Sequence, residues 1–127
     1  MLDRRRREVD LLRDRYGDLE TGQAMDWVIF RRFKLPGGLN REETELLVEI
    51  PSAYPQCAPD NFYVAEGLRS GSGGALSNYS EGVSKLGRNW GQFSFHVQDW
   101  SPSSDIPDGH NLLTFLLGVE KRLKEIP

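Results

Sequence analysis

Two stretches of the chain repeat their apolar residues every three or four positions, which is the spacing of a helix with one buried face. The first stretch covers residues 3–16, and its apolar stripe consists of Val9, Leu12, Tyr16 and Leu19. The second covers about residues 108–124, and its stripe consists of Leu112, Leu116, Val119, Leu123 and Ile126. Asp105 or Asp108 is the expected N-cap of the second helix, because a short acidic side chain accepts hydrogen bonds from free amides. The pattern therefore predicts one helix near each end.

Three stretches between these helices are rich in β-branched and aromatic residues, which favour strands. They cover residues 26–34, 44–50 and 61–65. Side chains alternate between the two faces of a strand, so each strand has a predictable apolar face. The residues expected to share a face are Trp27, Ile29 and Phe33 in the first strand, Leu46, Val48 and Ile50 in the second, and Phe62 and Val64 in the third. Short connections rich in turn residues predict antiparallel pairing.

Residues 66–89 are rich in glycine and serine and show no clear period. We expect the run Gly71-Ser72-Gly73-Gly74 within them to form a mobile flap, and residues 78–86 to be able to hold a short turn of helix. Trp90 to Trp100 is dense in aromatic residues, which predicts the return of the chain to the core. This order of elements predicts an α+β fold, an antiparallel meander of about four strands flanked by an N-terminal and a C-terminal helix. We expect residues 1–127 to form a single domain.

The composition narrows the classes of function. Hydrophobic residues make up 38% of the 127 residues and charged residues 28%, which suits one modest core and a solvated surface. The 16 basic and 19 acidic residues give a net charge of −3, so nucleic acid is a poor default partner. No apolar run approaches the roughly 20 residues of a membrane span. Cys57 is the only cysteine, which excludes an internal disulfide, and in the absence of a signal-like segment we expect a cytoplasmic protein.

Two short motifs in this order of elements resemble the ubiquitin-conjugating superfamily. Tyr54-Pro55-x-x-x-Pro59 follows the second clear strand, and Trp100-Ser101-Pro102 precedes the last helix. The resemblance is strongest to the prokaryotic branch called family E, and it covers roughly residues 26–120. The further matching segments are Leu35-Pro36-Gly37, Pro59-Asp60, Phe62-Tyr63-Val64, Trp90, Phe93-Ser94-x-His96, Trp100 and Asp105.

This resemblance implies a bacterial protein that acts with a ubiquitin-like protein and an activating enzyme, in gene clusters associated with defence against phage. The sequence departs from the eukaryotic relatives, because it has no His-Pro-Asn triplet and no cysteine between the third strand and Trp100. Cys57 lies instead inside the Tyr-Pro-x-x-x-Pro segment. No basic residue flanks Cys57 to lower the pKa of its thiol, so a small, half-buried apolar role is the simpler interpretation.

Ser94 falls near the position where the superfamily places its cysteine. If residues 92–96 are extended, Ser94 and His96 project from the same face. A hydroxyl becomes a competent nucleophile beside a base such as imidazole, and Asp99 or Asp105 can orient that ring. Ser94, His96 and Asp105 are therefore the predicted catalytic residues, and the acyl group would be carried as an oxyester. The alternative is that Ser94 hydrogen-bonds within a loop and that His96 is structural.

The run Arg4-Arg5-Arg6-Arg7 opens the first helix. In the superfamily the first helix docks on the activating enzyme, so Arg4, Arg5 and Arg7 are the predicted partner contacts. The alternative is a solvated helix face. Two histidines without nearby cysteines do not predict a metal site. No cofactor is expected, because the energy for transfer is already present in the activated ester.

Three functions are consistent with these features of the sequence. The first is a conjugating enzyme that accepts a ubiquitin-like protein and passes it to an amine. The second is a non-catalytic module that binds a ubiquitin-like protein or its activating enzyme, which the missing cysteine and triplet favour. The third, an unrelated serine hydrolase, is disfavoured because the chain has no Gly-x-Ser-x-Gly elbow.

Overall fold

The computed structural model describes residues 2–126, and within them two helices flank a six-stranded antiparallel sheet. In chain order the elements are α1 (Leu2–Tyr16), β1 (Leu19–Thr21), β2 (Trp27–Lys34), β3 (Glu43–Glu49), β4 (Phe62–Val64), β5 (Tyr79–Lys85), β6 (Arg88–Phe93), a 3-10 turn (Ile106–Asp108) and α2 (Leu112–Glu125). The strand order is β1-β2-β3-β4-β6-β5. The predicted α+β class, both helices and the three predicted strands are confirmed.

The main core lies between the helices and one face of the sheet. The helices contribute apolar side chains that are fully or nearly fully buried, which are Val9, Leu12, Leu112, Phe115, Leu116, Val119 and Leu123. The sheet contributes the predicted inner faces of β3 and β4, which are Leu46, Val48, Phe62 and Val64. Burial of apolar surface on this scale is the dominant stabilising contribution in a domain of this size.

The opposite face of the sheet carries a smaller buried cluster, formed by Ile29, Leu47, Tyr63 and Trp90. Long charged side chains lie over it, since the Arg88 guanidinium is 3.8 Å from the centroid of the Trp90 ring and the Lys85 ammonium 5.3 Å from that of Tyr63. Arg88 also pairs with Glu45 at 2.6 Å. Stacked cations of this kind bury their hydrocarbon stems while their charges stay in water.

The prediction that Phe33 shares a face with Trp27 and Ile29 is wrong. The register between β2 and β3 shifts between Phe30 and Phe33, so that β2 contains one extra residue there. Such a bulge reverses the alternation of side chains beyond it. Phe33 therefore lies in the main core together with Phe30, and their ring centroids are 5.8 Å apart.

The prediction of a short helical turn within residues 78–86 is also wrong, because β5 and β6 form a hairpin. Lys85 pairs with Arg88, which leaves a two-residue turn made of Leu86 and Gly87. Both turn residues have positive φ, 52° and 74°, as in the type I′ turn that matches the twist of paired strands. The exposed serines and glycine of β5 weaken the alternation of apolar and polar residues, so the sequence pattern did not predict this strand.

The segment between β4 and β5 is attached to the body of the protein, unlike the expected flap. Leu68 and Leu76 are buried in the main core. Ser70 forms a bridge with Leu39, and the Gly71 amide donates to the Gly38 carbonyl at 2.8 Å. The glycine-rich turn is therefore held against the β2–β3 connection.

Helix α2 begins later than predicted, and neither Asp105 nor Asp108 caps it. Asn111 is the N-cap: its side chain accepts from the Thr114 amide at 3.0 Å, and Thr114 Oγ1 accepts from the Asn111 amide at 2.9 Å. This reciprocal pair is a capping box. Asp105 instead precedes the 3-10 turn and Asp108 lies within it, so the chain needs an additional turn before α2 can start.

A buried carboxylate connects the two helices. Glu8 of α1 is fully buried and accepts hydrogen bonds from the Leu112 amide at 2.6 Å, from Arg4 Nε at 2.7 Å and from the Tyr54 hydroxyl. Burial, and then this contact with Glu8, raises the pKa of Tyr54 far above its ordinary value. The negative charge of Glu8 lies at the N-terminus of α2, where the helix dipole favours it.

Candidate functional site

Ser94 lies immediately after the end of β6, and its side chain is exposed. Its amide donates to the carbonyl of Asn78, just before β5, at 3.0 Å. That bond continues the β5–β6 ladder by one step beyond Tyr79 and Phe93, which are register partners. The backbone of Ser94 is therefore fixed at the end of the sheet while its hydroxyl faces solvent.

Asn61, just before β4, fixes the backbone of Phe95, which is the residue after Ser94. Its amide donates to the Phe95 carbonyl at 2.8 Å, and its side-chain oxygen accepts from the Phe95 amide at 3.1 Å. The Phe95 ring packs edge-on against Phe62 and Phe115, with centroid distances of 5.7 and 5.4 Å. This attachment positions the residues on either side of Phe95, which are Ser94 and His96.

His96 is exposed, and its Nδ1 contacts the carboxylate of Asp60. A carboxylate in its ordinary ionised form only accepts, so Nδ1 carries the proton that is donated. In the neutral ring Nε2 is then left with a free lone pair, which is the arrangement required of a general base.

Asp60 therefore contacts the imidazole of His96 at the position where the sequence predicted Asp99 or Asp105. Among residues 2–126, His96 hydrogen-bonds to neither Asp105 nor Ser94. The Asp105 amide donates to Ser103 Oγ at 3.2 Å, and its carboxylate makes no capping bond. Asp60 is part of the Pro59-Asp60 motif. It lies 36 residues before His96 in the chain, so the sequence did not indicate that the two side chains are paired.

Cys57 is exposed, unlike the half-buried residue that was expected. It lies in the turn that follows β3, three residues before Asp60. The same turn contacts the segment beyond His96, because Trp100 Nε1 donates to the Pro55 carbonyl at 2.7 Å. The thiol therefore belongs to a segment that borders the His96–Asp60 pair.

The model of the family described as prokaryotic E2 family E matches residues 7–126, which is nearly the whole chain. The chain belongs to prokaryotic E2 family E. No curated protein and no solved structure matches it. Membership of family E places its function in ubiquitin-like conjugation in the general sense, in which ubiquitin-like proteins and activating enzymes are the partners.

The arginines predicted to contact the activating enzyme of this family E chain differ in their surroundings. Arg5 is only 8% exposed and donates to the carbonyls of Met25 and Pro51 at 2.9 and 2.8 Å. Arg4 donates to the Ser103 carbonyl at 2.5 Å in addition to Glu8. Arg7 is exposed to solvent. Arg4 and Arg5 therefore hold loops of the protein itself, and Arg7 is the one of the three that presents its charge outward.

Two clefts border the His96–Asp60 pair of the family E chain. The larger, about 680 Å³, includes Asp60 in its lining together with Asp26, Glu49 and Arg5. The smaller, about 380 Å³, includes His96 and lies between residues 95–98 and α2. A ligand in either cleft would therefore meet one member of the pair.

Two further observations bear on the classes of partner. No helix formed by residues 2–126 is both long enough and apolar enough to cross a membrane. The same residues contain no group of three or more histidine, cysteine, aspartate or glutamate side chains arranged to hold a metal ion.

Proposed function

We propose that this family E chain accepts the C-terminus of a ubiquitin-like protein from an activating enzyme as an oxyester on Ser94 and transfers it to an amine. The observation that carries the proposal is the exposed Ser94 hydroxyl at the end of β6, two residues before a carboxylate-backed imidazole. A serine with a nearby oriented base is the minimum required for acyl transfer through an ester.

Two balanced steps describe the chemistry. In the first, Ser94 Oγ bonds to the activated carbonyl carbon, its proton passes through Nε2 of His96 to the leaving group, and the bond between that carbon and the activating enzyme breaks, which leaves the imidazole neutral. In the second, an amine bonds to the same carbon and gives a proton to Nε2 of His96, the bond to Ser94 Oγ breaks, and His96 passes that proton to the oxygen. Asp60 stabilises the imidazolium in both steps and holds the Nδ1–H tautomer.

Asp60 takes the orienting role in this proposal. The Asp105 carboxylate makes no hydrogen bond within residues 2–126, whereas Asp60 contacts the ring directly. Catalytic hydrogen bonds often tighten only once the substrate is bound, so in this proposal the Ser94 hydroxyl reaches His96 Nε2 in the complex with the ubiquitin-like protein.

A charging assay tests the oxyester. The protein is mixed with an activating enzyme, a ubiquitin-like protein and ATP, and the adduct is read as a mass shift. We expect an adduct that resists thiol reductants, yields to hydroxylamine and is absent from Ser94→Ala. Ser104→Ala is the matched control, since Ser104 is also an exposed loop serine. An adduct lost with Cys57→Ala and with reductant would move the carrier to the exposed thiol.

A non-catalytic binding module is the second candidate. It is favoured by the hydrogen bonding of His96, which within the described residues engages Asp60 and leaves the Ser94 hydroxyl without a base. In that case the protein would bind the ubiquitin-like protein without any adduct, and Ser94→Ala would leave the affinity unchanged. Binding measured in parallel with charging separates the two candidates.

A further inference from the structure

The smaller cleft has one wall made of residues 95–98, which follow β6 and Ser94, and one wall made of helix α2 together with His110 just before it. Phe95, His96, Val97 and Gln98 form the first wall, and the second carries His110, Thr114, Gly118, Lys121, Arg122 and Glu125. The two walls approach closely at Gly118, where an added Cβ would lie 3.1 Å from the Phe95 ring. The cleft is therefore a fixed feature of the packing between the segment that follows β6 and helix α2.

The charges of the α2 wall are positive on balance. Lys121 is exposed and Arg122 half-buried, and neither forms an ion pair with a carboxylate of residues 2–126. Glu125 is the one acidic residue in the lining. Two permanent cations against one carboxylate favour an anionic ligand.

His110 adds a hydrogen-bond donor. Its Nδ1 accepts from the Ser101 amide at 2.8 Å, so the proton of the neutral ring lies on Nε2. Stacking on Trp100, with ring centroids 5.1 Å apart, fixes the ring plane. His96, on the other wall, has the opposite tautomer because its Nδ1 donates to Asp60. The cleft thus contains the unprotonated Nε2 of His96, which can accept a proton, and the Nε2–H of His110, which can donate a hydrogen bond.

We propose that this cleft binds an acidic segment of the acceptor protein, so that carboxylates beside the acceptor lysine rest on Lys121, Arg122 and His110 while the amine faces His96. This inference rests on the proposed function, because it names the acceptor class of the same site. The amine gives its proton to the free Nε2 of His96 as it attacks the ester on Ser94, and the proton then goes to the departing serine oxygen.

A peptide suits the cleft better than a nucleic acid does. A nucleic acid backbone is bound by an extended basic stripe, whereas this chain has a net charge of −3 and the cleft provides only Lys121 and Arg122 as permanent cations. A volume of about 380 Å³ accommodates a few side chains.

Peptide binding to the uncharged protein tests the inference without any activating enzyme. The probes are a short fluorescent peptide with one lysine followed by glutamates, and the same peptide with glutamines. At low salt we expect the glutamate peptide to bind about tenfold more tightly, since it gains contacts to more than one cation. Its addition should also shift the ring NMR signals of His96 and His110.

Lys121→Glu and Arg122→Gln should each remove most of the preference for glutamate. Lys124→Glu is the matched control, because Lys124 is exposed on the same helix but borders a different cleft. Circular dichroism verifies that each variant is folded. Ser94→Ala should bind the glutamate peptide normally, since Ser94 is not among the residues that line the cleft.

Equal affinity for both peptides would overturn the inference, as would an equal effect of Lys124→Glu and Lys121→Glu. Displacement of the glutamate peptide by a much lower concentration of a short single-stranded oligonucleotide would instead assign the cleft to nucleic acid. If the glutamate preference holds but no adduct forms in the charging assay, the acidic-segment site stands and the oxyester function fails. The two proposals therefore fail separately.

Discussion

The carboxylate of Glu81 on β5 accepts hydrogen bonds from three donors, two in the loop that precedes β5 and one on β5 itself. The Gly67 amide and the Tyr79 hydroxyl each donate at 2.6 Å, and Arg69 donates at 3.2 Å. The Gly67 amide first, and then the Tyr79 hydroxyl, hold the pKa of Glu81 below its ordinary value of 4.5. Burial, and then Glu81, raises the pKa of Tyr79 to about 12. One ionised side chain thus fastens the segment between β4 and β5.

Glu81→Gln should lower the stability of the protein in a pH-dependent way. A carboxyl group with a depressed pKa in the folded state stabilises that state above its unfolded-state pKa, and the contribution is lost as the pH falls through the folded-state value. The stability difference between wild type and Glu81→Gln should therefore be complete at neutral pH and much smaller at about pH 3.

Urea unfolding at both pH values measures the Glu81 effect. Glu42→Gln, which changes an exposed glutamate, should show a small difference that does not depend on pH. If Glu81→Gln lowered the free energy of unfolding by the same amount at both pH values, the ionised form of the carboxylate would not be what stabilises the loop.

Among the secondary-structure elements, the β5–β6 hairpin depends on the conformation of its turn. Gly87 has a φ of 74°, and an alanine there would meet no neighbouring atom. The cost of Gly87→Ala is therefore backbone strain alone, about 1 kcal/mol. Thermal unfolding should show this loss, whereas Gly37→Ala, at another open position without positive φ, should be nearly neutral. Equal effects would exclude turn strain as the cause.

Helices α1 and α2 depend on each other through Glu8. Glu8→Gln keeps the shape of the side chain but removes the charge that Arg4 and the Leu112 amide contact. We expect a loss of about 2 kcal/mol in the free energy of unfolding, which is typical of a buried hydrogen bond to a charged group. Asp10→Asn removes one exposed ion pair of the same helix and should change stability by less than about 0.5 kcal/mol. Similar losses in both variants would contradict this role of Glu8.

At the scale of the whole molecule, one continuous core joins both helices to the sheet. Trp90 and Trp27 belong to the cluster on the opposite face, whereas Trp100 packs against the main core, so the fluorescence of the three tryptophans reports on both faces of the sheet. We expect fluorescence and far-ultraviolet circular dichroism to follow the same urea transition, as is usual for chains of fewer than about 150 residues. Two separated transitions would argue against the single domain that the sequence predicts.

The sequence revealed those elements whose local pattern agrees with their place in the fold. The stripe of α2 and the alternation in β3 predicted buried faces correctly, because each element has one face on the main core. Phe33 was assigned to the wrong face, since a bulge leaves no trace in the hydrophobic pattern. β5 was missed because its exposed polar side chains carry little apolar signal.

The candidate site was predictable only in part for a similar reason. Ser94 and His96 are close in the chain, so alternation and resemblance both pointed to them. Asp60 joins His96 through the pairing of β4 with β6, which brings together residues that are far apart in sequence. The burial of Arg5 likewise depends on carbonyls of two distant loops, and no charge pattern along α1 indicates it.

The attachment of α1 has a consequence for how the chain is made. Met25 is the second of only two methionines, so translation that started there would yield a product without α1. That product would lack both Arg5 and Glu8, leaving the Tyr54 hydroxyl and the Leu112 amide without their carboxylate in an uncovered core. An internally initiated product would therefore be a substrate for cellular proteases, and the accumulated protein would be the form that includes the first helix.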